Sequence, residues 1–288
     1  TGKSDLAVAL AKEIGAEIIN ADSMQLYQGM DIGTAKLTLE ERGGIEHHLL
    51  DVLDVTEDAT VAWYQEKARE KITEIHARNN HAVIVGGTGL YIKAILDELN
   101  FPDTNPEVRE RLNQEAEEFG VARLFERLQL LDPTAAAAID IQNVRRVIRA
   151  LEVIEITGQP FTANLPREAS SRYPEAIHFG LSQDRESLDI RVSNRVDAMW
   201  EAGLVAEVEG LVVTGLREGV TAQKALGYAQ VLQMMDGLLT SDEAREETKR
   251  VTRQYIRRQD TWFSRDNRLH WLGHYENRLE KILTRINS

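Results

Sequence analysis

The spacing of hydrophobic residues in the first third of the chain alternates between that of helices and that of strands. Five apolar residues at helical spacing come first: Leu6, Ala7, Leu10, Ala11 and Ile14. Gly15 then favours a helix end, and residues 16–20 form the short apolar run of a buried strand. The same order recurs as a helix over 61–77, a strand over 81–85 and a helix over 90–96. Strands that alternate with helices predict an α/β fold with a mostly parallel sheet and helices on both faces.

A second pattern begins after about Pro102. Helical spacing alone predicts three helices in this part, over 106–119, 121–131 and 144–157. Residues 158–174 are polar and broken by three prolines, which indicates a connector. Residues 177–181 predict one more strand that returns to the sheet, and everything beyond them is predicted helical. We therefore predict a core of residues 1–104 and 175–288, interrupted by a helical insertion domain over 105–174.

Composition excludes several kinds of site and several classes of protein. The 288 residues contain no cysteine, which excludes disulfides, thiolate zinc sites and cysteine nucleophiles, and the seven histidines show no metal-ligand spacing. No apolar run approaches the ~20 residues of a membrane helix and no signal peptide is visible, so we expect a soluble, cytoplasmic protein. The net charge of -13 requires that any nucleic-acid site be a local basic surface. A monomer is expected because no coiled coil or long apolar stripe is present.

The tripeptide Gly2-Lys3-Ser4 stands directly before the first predicted helix. It is the back half of the phosphate-binding loop G-x-x-x-x-G-K-[ST], in which backbone N–H groups and a helix N-terminus hold phosphate oxygens. Lys3 would contact the terminal phosphates and the Ser4 hydroxyl would ligate Mg²⁺. The alternative is a chance tripeptide in an ordinary loop. The first glycine of the loop and the central strand that would precede it are not in this sequence. We therefore expect the sequence to begin within the loop. Whether the 288-residue chain is active stays open.

Asp22 follows the first predicted strand, at the edge of the sheet where α/β proteins place ligands. A carboxylate in this position can coordinate metal-bound water, act as a base, or cap a turn. The local sequence does not choose between these roles.

Longer motifs around and beyond Asp22 are more informative. Residues 22–36, DSMQLYQGMDIGTAK, resemble almost letter for letter a signature of the tRNA dimethylallyltransferases, also called tRNA isopentenylpyrophosphate transferases. Further motifs of that family follow in order: HHLLD at 47–51, VGGTGLY at 85–91, NVRRVIRALE at 143–152, Arg191 and Arg195 ahead of Gly203-Leu204, ALGY at 225–228, and the arginine-rich segment 252–263. Glu46 stands where the family usually has proline. The resemblance covers essentially the whole chain and implies a P-loop-containing nucleoside triphosphate hydrolase-like core.

The reaction that this resemblance implies is alkylation. A dimethylallyl group would pass from dimethylallyl diphosphate to the exocyclic amine of the adenosine beside the anticodon in tRNA, with Mg²⁺ as cofactor. Asp22 would accept the proton of that amine. The other implied site residues are Thr1, Gly2, Lys3 and Ser4 on the diphosphate, Thr88 and Arg195 as catalytic contacts to it, Arg191 as a weaker candidate, and Ser23, Met24 and Gln25 beside the adenosine.

Basic residues provide candidate surfaces for tRNA. Between Arg245 and Arg268, eight Lys/Arg stand against four Asp/Glu, with aromatic residues nearby. A solvated helix with an aromatic core face is the alternative. In the insertion, Arg145, Arg146 and Arg149 resemble, with Gln142, the family's anticodon-loop clamp. The implied tRNA contacts are Asp22, Ser23, Met24, Gln25, Arg109, Gln142, Asn143, Val144, Arg145, Arg146, Arg253, Arg257 and Arg258.

Three alternative functions stay open at this stage. A small-molecule kinase could use the same phosphate loop, but this function would not explain the motif over residues 22–36. A prenyltransferase acting on free adenine nucleotides would share the chemistry, although it needs neither the insertion nor the basic C-terminal region. A non-catalytic RNA-binding protein with a decayed phosphate loop is the third.

Overall fold

The chain folds into two compact units. The first, here called the core unit, consists of Thr1–Ile95 and Glu175–Ser288, and the second, the helical unit, consists of Leu96–Pro174. The computed structural model describes residues 2–164 and 171–288. Thr1, a predicted diphosphate contact, and residues 165–170 of the predicted connector lie outside the described residues. The predicted insertion, 105–174, falls within the helical unit, which begins at Leu96.

The helices and strands occupy most of both units. In chain order they are α1 (Lys3–Ile14), β1 (Ala16–Ala21), β2 (His47–His48), α2 (Val61–Ala77), β3 (His81–Gly86), α3 (Gly89–Leu96), α4 (Pro106–Phe119), α5 (Val121–Leu131), α6 (Pro133–Ala138), α7 (Val144–Thr157), β4 (His178–Leu181), α8 (Arg185–Glu201), α9 (Leu204–Val213), α10 (Tyr228–Met235), α11 (Ser241–Phe263), β5 (Leu269–Leu272) and α12 (Arg278–Ile286). Short 3₁₀ turns cover Phe161–Asn164 and Ala222–Lys224. None of the described helices combines the length and apolar composition that a membrane span requires.

The main sheet of the core unit is parallel and has the order β2-β1-β3. All six residues of β1 are buried, which explains its nearly unbroken apolar run. The register pairs Asn20 with Val85 and Ala21 with Gly86, so β1 and β3 end at the same level. The residues that follow the two strands are therefore brought side by side.

The prediction that residues 177–181 return to this sheet is wrong. Strand β4 instead pairs in parallel with β5 in a separate two-stranded sheet. The prediction that everything beyond β4 is helical is also wrong, because Leu269–Leu272 is a strand. Four residues with only one buried side chain are too short for the periodicity of a strand to be recognised.

Helix α1 packs against both sheets of the core unit. Leu10 of α1, Leu272 of β5 and Ile282 of α12 form one buried cluster, and Val83 of β3 and Phe179 of β4 pack onto it. The helix ends at Gly15, as predicted, in the left-handed conformation with φ of 66°. Its N-terminal residues are thereby held at a fixed place relative to the carboxyl ends of β1 and β3.

The helical unit has its own hydrophobic core. Leu112, Leu124, Leu128, Val147 and Leu151, from three of its helices, are fully buried in it. The bounds of α4, α5 and α7 are those that the spacing predicts, whereas the short helix α6 was not predicted. Asp132 begins α6 by accepting a hydrogen bond from the Ala135 N–H at 3.0 Å.

A buried carboxylate ties three segments of the core unit together. Glu17 of β1 accepts hydrogen bonds from Arg78 at 2.7 Å and Asn80 at 2.8 Å, and its other contact is the His48 ring nitrogen at 2.7 Å. Hydrogen bonds from Arg78, and also those with Asn80 and His48, stabilise the Glu17 carboxylate and lower its pKa from 4.5 to about 2. Burial acts in the opposite direction. Glu17, Glu46 and His48 are also close enough to hold a metal ion. Because Arg78 and Asn80 already occupy the Glu17 oxygens, this group serves structure better than metal binding.

The lowered pKa of Glu17 predicts a pH-dependent loss of stability. Its contribution is complete above pH 4.5, where the carboxylate is ionised in both states, and it disappears as the pH falls towards about 2. We expect Glu17→Gln to lower the free energy of unfolding by about 2–3 kcal/mol at neutral pH. This is less than the whole pKa shift would give, because Arg78 is 47 % exposed and solvent weakens its interaction with Glu17. Urea unfolding between pH 7 and pH 3 should show this difference shrinking. Glu13→Gln, at an exposed position of α1, is the control, and a difference that stays constant with pH would contradict the assignment.

Candidate active site

Asp22 follows β1 and is held by the last polar residue of that strand. The buried Asn20 side chain accepts a hydrogen bond from the Asp22 N–H at 3.0 Å and donates to the Asp22 and Leu49 carbonyls, each at 2.9 Å. One carboxylate oxygen, Oδ1, accepts the Met24 N–H at 3.0 Å. The other, Oδ2, accepts no hydrogen bond from the residues that the structure describes. Asp22 therefore caps its turn with one oxygen and keeps the second for other chemistry.

The loop after β3 lies directly beside Asp22. The Thr88 N–H donates to the Ala21 carbonyl at 3.2 Å, and the Thr88 Oγ1 accepts the Ser23 N–H at 3.1 Å. Gly86 has to be glycine because a Cβ there would collide with the backbone of Ala21. The two predicted residues Asp22 and Thr88, 66 positions apart, are thus joined through Ser23 and Ala21.

Helix α11 closes over the same loop. The Gln259 Nε2 donates to the Gly87 carbonyl at 2.6 Å, and a Cβ on Gly89 would collide with the Trp262 ring. Burial and the nearby charge of Asp22 raise the pKa of Tyr255, on the same helix, although hydrogen bonds with Thr88 and Gln259 oppose the shift. Tyr255 and Gln259 lie in the segment 252–263 that resembles the family, and Tyr255 is one of the aromatic residues near the predicted tRNA surface. Sequence reasoning placed neither of them beside Asp22, because the pattern of a helix does not show which loop it contacts.

Two cationic side chains share the surroundings of Asp22. Burial lowers the pKa of Lys3, the charge of Asp22 opposes this shift, and the charge of Arg195 adds to it. Burial also lowers the pKa of Arg195, and Asp22 again opposes the shift. Lys3, Asp22 and Arg195 are therefore close enough for their charges to act on one another. Arg191, the weaker candidate, is exposed, as the Arg195 side chain also is, but the charge of Arg191 acts on Arg278.

The start of α1 has the geometry of a phosphate-binding turn. Gly2 precedes the helix in the left-handed conformation, with φ of 75° and ψ of 23°. Helix α1 begins at Lys3, and the first-turn N–H groups of a helix are free to hold an anion. Ser4 follows Lys3 in this first turn, where its hydroxyl oxygen suits a hard cation such as Mg²⁺.

Residues 22–36 form a loop that Lys36 fixes at one end. The buried Lys36 ammonium donates to the Tyr27 carbonyl at 3.0 Å and contacts the carboxylates of Asp31 at 2.6 Å and Asp51 at 2.5 Å. Asp51 belongs to the HHLLD motif, so this ion pair joins two of the motifs on which the resemblance rests. The lysine of the signature has a structural role.

Residues 31–33 of that loop are held from α9 and α10. The Glu207 carboxylate accepts the N–H groups of Asp31, Ile32 and Gly33 at 3.2, 2.8 and 3.3 Å, and it accepts the Tyr228 hydroxyl at 2.5 Å. A Cβ on Gly33 would collide with the buried Tyr228 ring. Tyr228 is the last residue of the ALGY motif, whereas Glu207 lies in no predicted motif.

The predicted tRNA residues fall into two groups. Arg145, Arg146, Arg257 and Arg258 have no acidic partner among the described residues and are exposed, as is Gln142. Arg109 pairs at 2.8 Å with the buried Glu152, and Arg253 donates to the Ser193 hydroxyl at 2.6 Å. Asn143 begins α7 by accepting the Arg146 N–H, and Val144 is 37 % exposed. Arg145, Arg146, Arg257 and Arg258 are therefore free to meet phosphate, while Arg109 and Arg253 are already held by protein.

This arrangement, with a carboxylate and cations at the carboxyl edge of a parallel sheet, defines an α/β protein with a P-loop nucleoside triphosphate hydrolase-like fold. Residues 25–266 match the sequence profile of the IPP transferase family. The tRNA dimethylallyltransferase of Thermobifida fusca is 59 % identical over 276 residues, which cover 94 % of this chain and 86 % of that relative. The chain belongs to the IPP transferase family.

Solved structures agree with this assignment. The tRNA isopentenylpyrophosphate transferase of Bacillus halodurans is 39 % identical, with a TM-score of 0.73, over 99 % of this chain and 92 % of that one. A eukaryotic dimethylallyltransferase acting on tRNA, at 24 % identity and a TM-score of 0.83 over 99 % and 75 % of the two chains, shares the fold. The resemblance that the motifs predict is confirmed.

The close packing of Gly33 on Tyr228 can be tested with a matched pair of substitutions. Gly33→Ala should lower the free energy of unfolding by about 1–3 kcal/mol, because the added methyl group displaces a buried ring. Gly210→Ala, in α9, meets no atom within 4 Å and should raise stability by about 0.5–1 kcal/mol. Urea unfolding of the two variants measures both. Equal stability of Gly33→Ala and the unchanged protein would contradict the observed packing.

Proposed function

We propose that this protein transfers a dimethylallyl group from dimethylallyl diphosphate to the exocyclic amine of the adenosine beside the anticodon in tRNA, forming isopentenyladenosine. The observation that carries the proposal is the free Oδ2 of Asp22 beside two cations, Lys3 and Arg195. The names of relatives at 50–59 % identity, all tRNA dimethylallyltransferases, support the same reaction and the same acceptor. A cytoplasmic location would place the enzyme with its tRNA.

The chemistry requires charge to be handled at both ends of the reacting bond. The exocyclic nitrogen attacks the first carbon of the dimethylallyl group, and the carbon–oxygen bond breaks with its electron pair passing to the diphosphate. Lys3 and Arg195 would stabilise the negative charge that develops there. The proton of the amine would pass to Oδ2 of Asp22, since the other oxygen is engaged by the Met24 N–H.

The residues present at the start of α1 fit a magnesium ion bound with the diphosphate. Mg²⁺ prefers oxygen ligands and commonly takes only one or two from the protein, the others coming from substrate phosphates and water. The Ser4 hydroxyl would be such a ligand. When bound, the ion would supply further positive charge to the leaving group.

Recognition of tRNA would rest on local basic surfaces of an acidic protein. Each unit has exposed arginines without acidic partners among the described residues, Arg145 and Arg146 in the helical unit and Arg257 and Arg258 in the core unit. Such side chains suit phosphate contacts. The target base would have to leave the anticodon-loop stack, at a cost of a few kcal/mol that single-stranded loops keep low.

The proposed base is tested by substitution in the protein of full natural length. With unmodified tRNA, Mg²⁺ and labelled dimethylallyl diphosphate, we expect label on an adenosine of the tRNA. Asp22→Asn should lower kcat by about 10²–10⁴-fold, because the amide cannot accept the proton. Asp5→Asn, at an exposed aspartate in the first turn of α1, is the matched control and should keep full activity.

Other outcomes would point elsewhere. Label on free adenine nucleotide instead of tRNA would identify the acceptor as the nucleotide. Transfer of phosphate from ATP to a small molecule would identify a kinase. Full activity of Asp22→Asn would remove Asp22 as the base.

The lowered pKa of Lys3 predicts the alkaline limit of activity. Because burial lowers this pKa from 10.5, the ammonium loses its charge at a lower pH than an ordinary lysine, and kcat/KM for dimethylallyl diphosphate should fall as the pH rises through that value. Lys3→Arg should move this fall to higher pH, because an arginine keeps its charge. Lys12→Arg, at an exposed position of the same helix, should leave the profile unchanged. An identical profile in Lys3→Arg would show that another group sets the limit.

A further inference from the structure

Glu207 makes an unusually complete set of contacts for a residue outside every predicted motif. Its Oε2 accepts the N–H groups of Asp31 at 3.2 Å and Ile32 at 2.8 Å, and its Oε1 accepts that of Gly33 at 3.3 Å. Three successive N–H groups that converge on one carboxylate form a concave anion site of the kind called a nest. The Tyr228 hydroxyl completes the set with a 2.5 Å hydrogen bond to Oε1.

The residue after this nest is the meeting point of two predicted site residues. The Thr34 carbonyl accepts a hydrogen bond from the Gln25 side chain at 3.1 Å. The same oxygen lies 3.5 Å from a guanidinium nitrogen of Arg195, a longer and weaker contact. Gln25 is expected beside the adenosine and Arg195 on the diphosphate, so one carbonyl connects both sides of the proposed reaction.

Two sets of contacts, which share Asp31, hold the loop on either side of Thr34. Lys36 contacts the Tyr27 carbonyl and the carboxylates of Asp31 and Asp51, and the Asp51 N–H donates to the Gln25 carbonyl at 3.2 Å. None of these contacts involves the Thr34 carbonyl. The nest fixes the stretch immediately before Thr34, and the packing of Gly33 on the Tyr228 ring leaves this stretch no room to shift. The stretch that leads to the Thr34 carbonyl is therefore held directly by Glu207 and Tyr228.

We infer that Glu207, together with Tyr228, is a positioning residue of the proposed reaction: by binding the 31–33 backbone it fixes the Thr34 carbonyl, which orients Gln25 towards the acceptor adenosine and Arg195 towards the diphosphate. This inference rests on the proposed function. Glu207 touches neither substrate, so it acts through Gln25 and Arg195.

A carboxylate is required at this position because all four groups facing it are donors. Glutamine has the same shape, but its NH₂ group cannot accept from the backbone N–H groups and could pair only with the Tyr228 oxygen, so at least one of the three N–H groups would lose its acceptor. Glu207→Gln should therefore open the nest without leaving a large cavity. Tyr228→Phe removes one donor and keeps the ring, so its effect should be smaller.

The experiment compares Glu207→Gln with Glu209→Gln, an exposed glutamate two residues further along α9. For Glu207→Gln we expect kcat/KM to fall by about 10–100-fold, with KM raised for both tRNA and dimethylallyl diphosphate, because misplacement of about 1 Å has effects of this size. Backbone hydrogen exchange at residues 31–33 should become faster in this variant alone. Glu209→Gln should behave as the unchanged protein in every respect.

A double-substitution cycle tests the route of the effect. If Glu207 acts through Gln25, Glu207→Gln should cost little further activity in a Gln25→Ala background, so the two effects should be less than additive. A purely structural role would lower the active fraction, and with it kcat, while both KM values stay within about twofold. That result, or full additivity, would overturn the inference.

A binding measurement separates this inference from the proposed function. The affinity for inorganic pyrophosphate in the presence of Mg²⁺ should weaken by about 3–10-fold in Glu207→Gln, the range expected for one weakened hydrogen bond. This readout does not require tRNA. If the unchanged protein binds pyrophosphate but does not label tRNA, the proposed acceptor is wrong, while unaltered pyrophosphate affinity in the variant removes the link from Glu207 to Arg195.

Discussion

Six consecutive residue pairs join β1 to β3 in parallel, from Ala16 opposite His81 to Ala21 opposite Gly86, and the site depends on where these two strands end together. Parallel strands that end at one level deliver their following residues to the same edge of the sheet. The hydrogen bond from the Thr88 N–H to the Ala21 carbonyl continues this pairing by one step beyond the strands. Asp22, Ser23 and Thr88 consequently have fixed relative positions before any substrate binds.

Several glycines exist to keep this edge of the sheet tight. A Cβ on Gly86 would collide with the backbone of Ala21, one on Gly87 with the Gln259 amide, and one on Gly89 with the Trp262 ring. Helix α11, which carries Gln259 and Trp262, can therefore lie close against the loop that presents Thr88. The glycine-rich motif is a packing requirement here, and the phosphate-binding turn is built separately, at Gly2 and the start of α1.

Many cations of the described residues pair with carboxylates, whereas others, among them Arg145, Arg146, Arg257 and Arg258, have no acidic partner there. Arg109, Arg250 and Lys249 each pair with carboxylates, which leaves an acidic protein with small basic areas. Near Asp22 the distribution differs, because Lys3 and Arg195 both feel its charge and burial lowers the pKa of each cation. Two cations near one carboxylate leave positive charge available to a diphosphate.

The sequence by itself determined the family and the bounds of several long helices. Helices α2, α4, α5 and α7 have the bounds that apolar spacing predicts, because each is long enough for several turns of a period to be seen. The short elements α6 and β5 were not predicted, because each has too few residues for a period to be recognised. Residues 22–36 and the motifs beyond them identified Asp22, Thr88 and Arg195 as candidates through resemblance, independently of any geometry.

Only the tertiary structure decided what these residues do for one another. That Lys36 and Gly33 serve the shape of the loop, and that Arg109 is engaged by Glu152, depends on contacts between segments far apart in the chain. Asn20 and Glu207 lie outside every motif and Gln259 lies in a motif without an assigned role, and each becomes a neighbour of the site through contacts made in the fold. The local periodicity of apolar residues indicates which face of an element is buried. It does not indicate a hydrogen bond between two residues that are 170 or more positions apart in the chain.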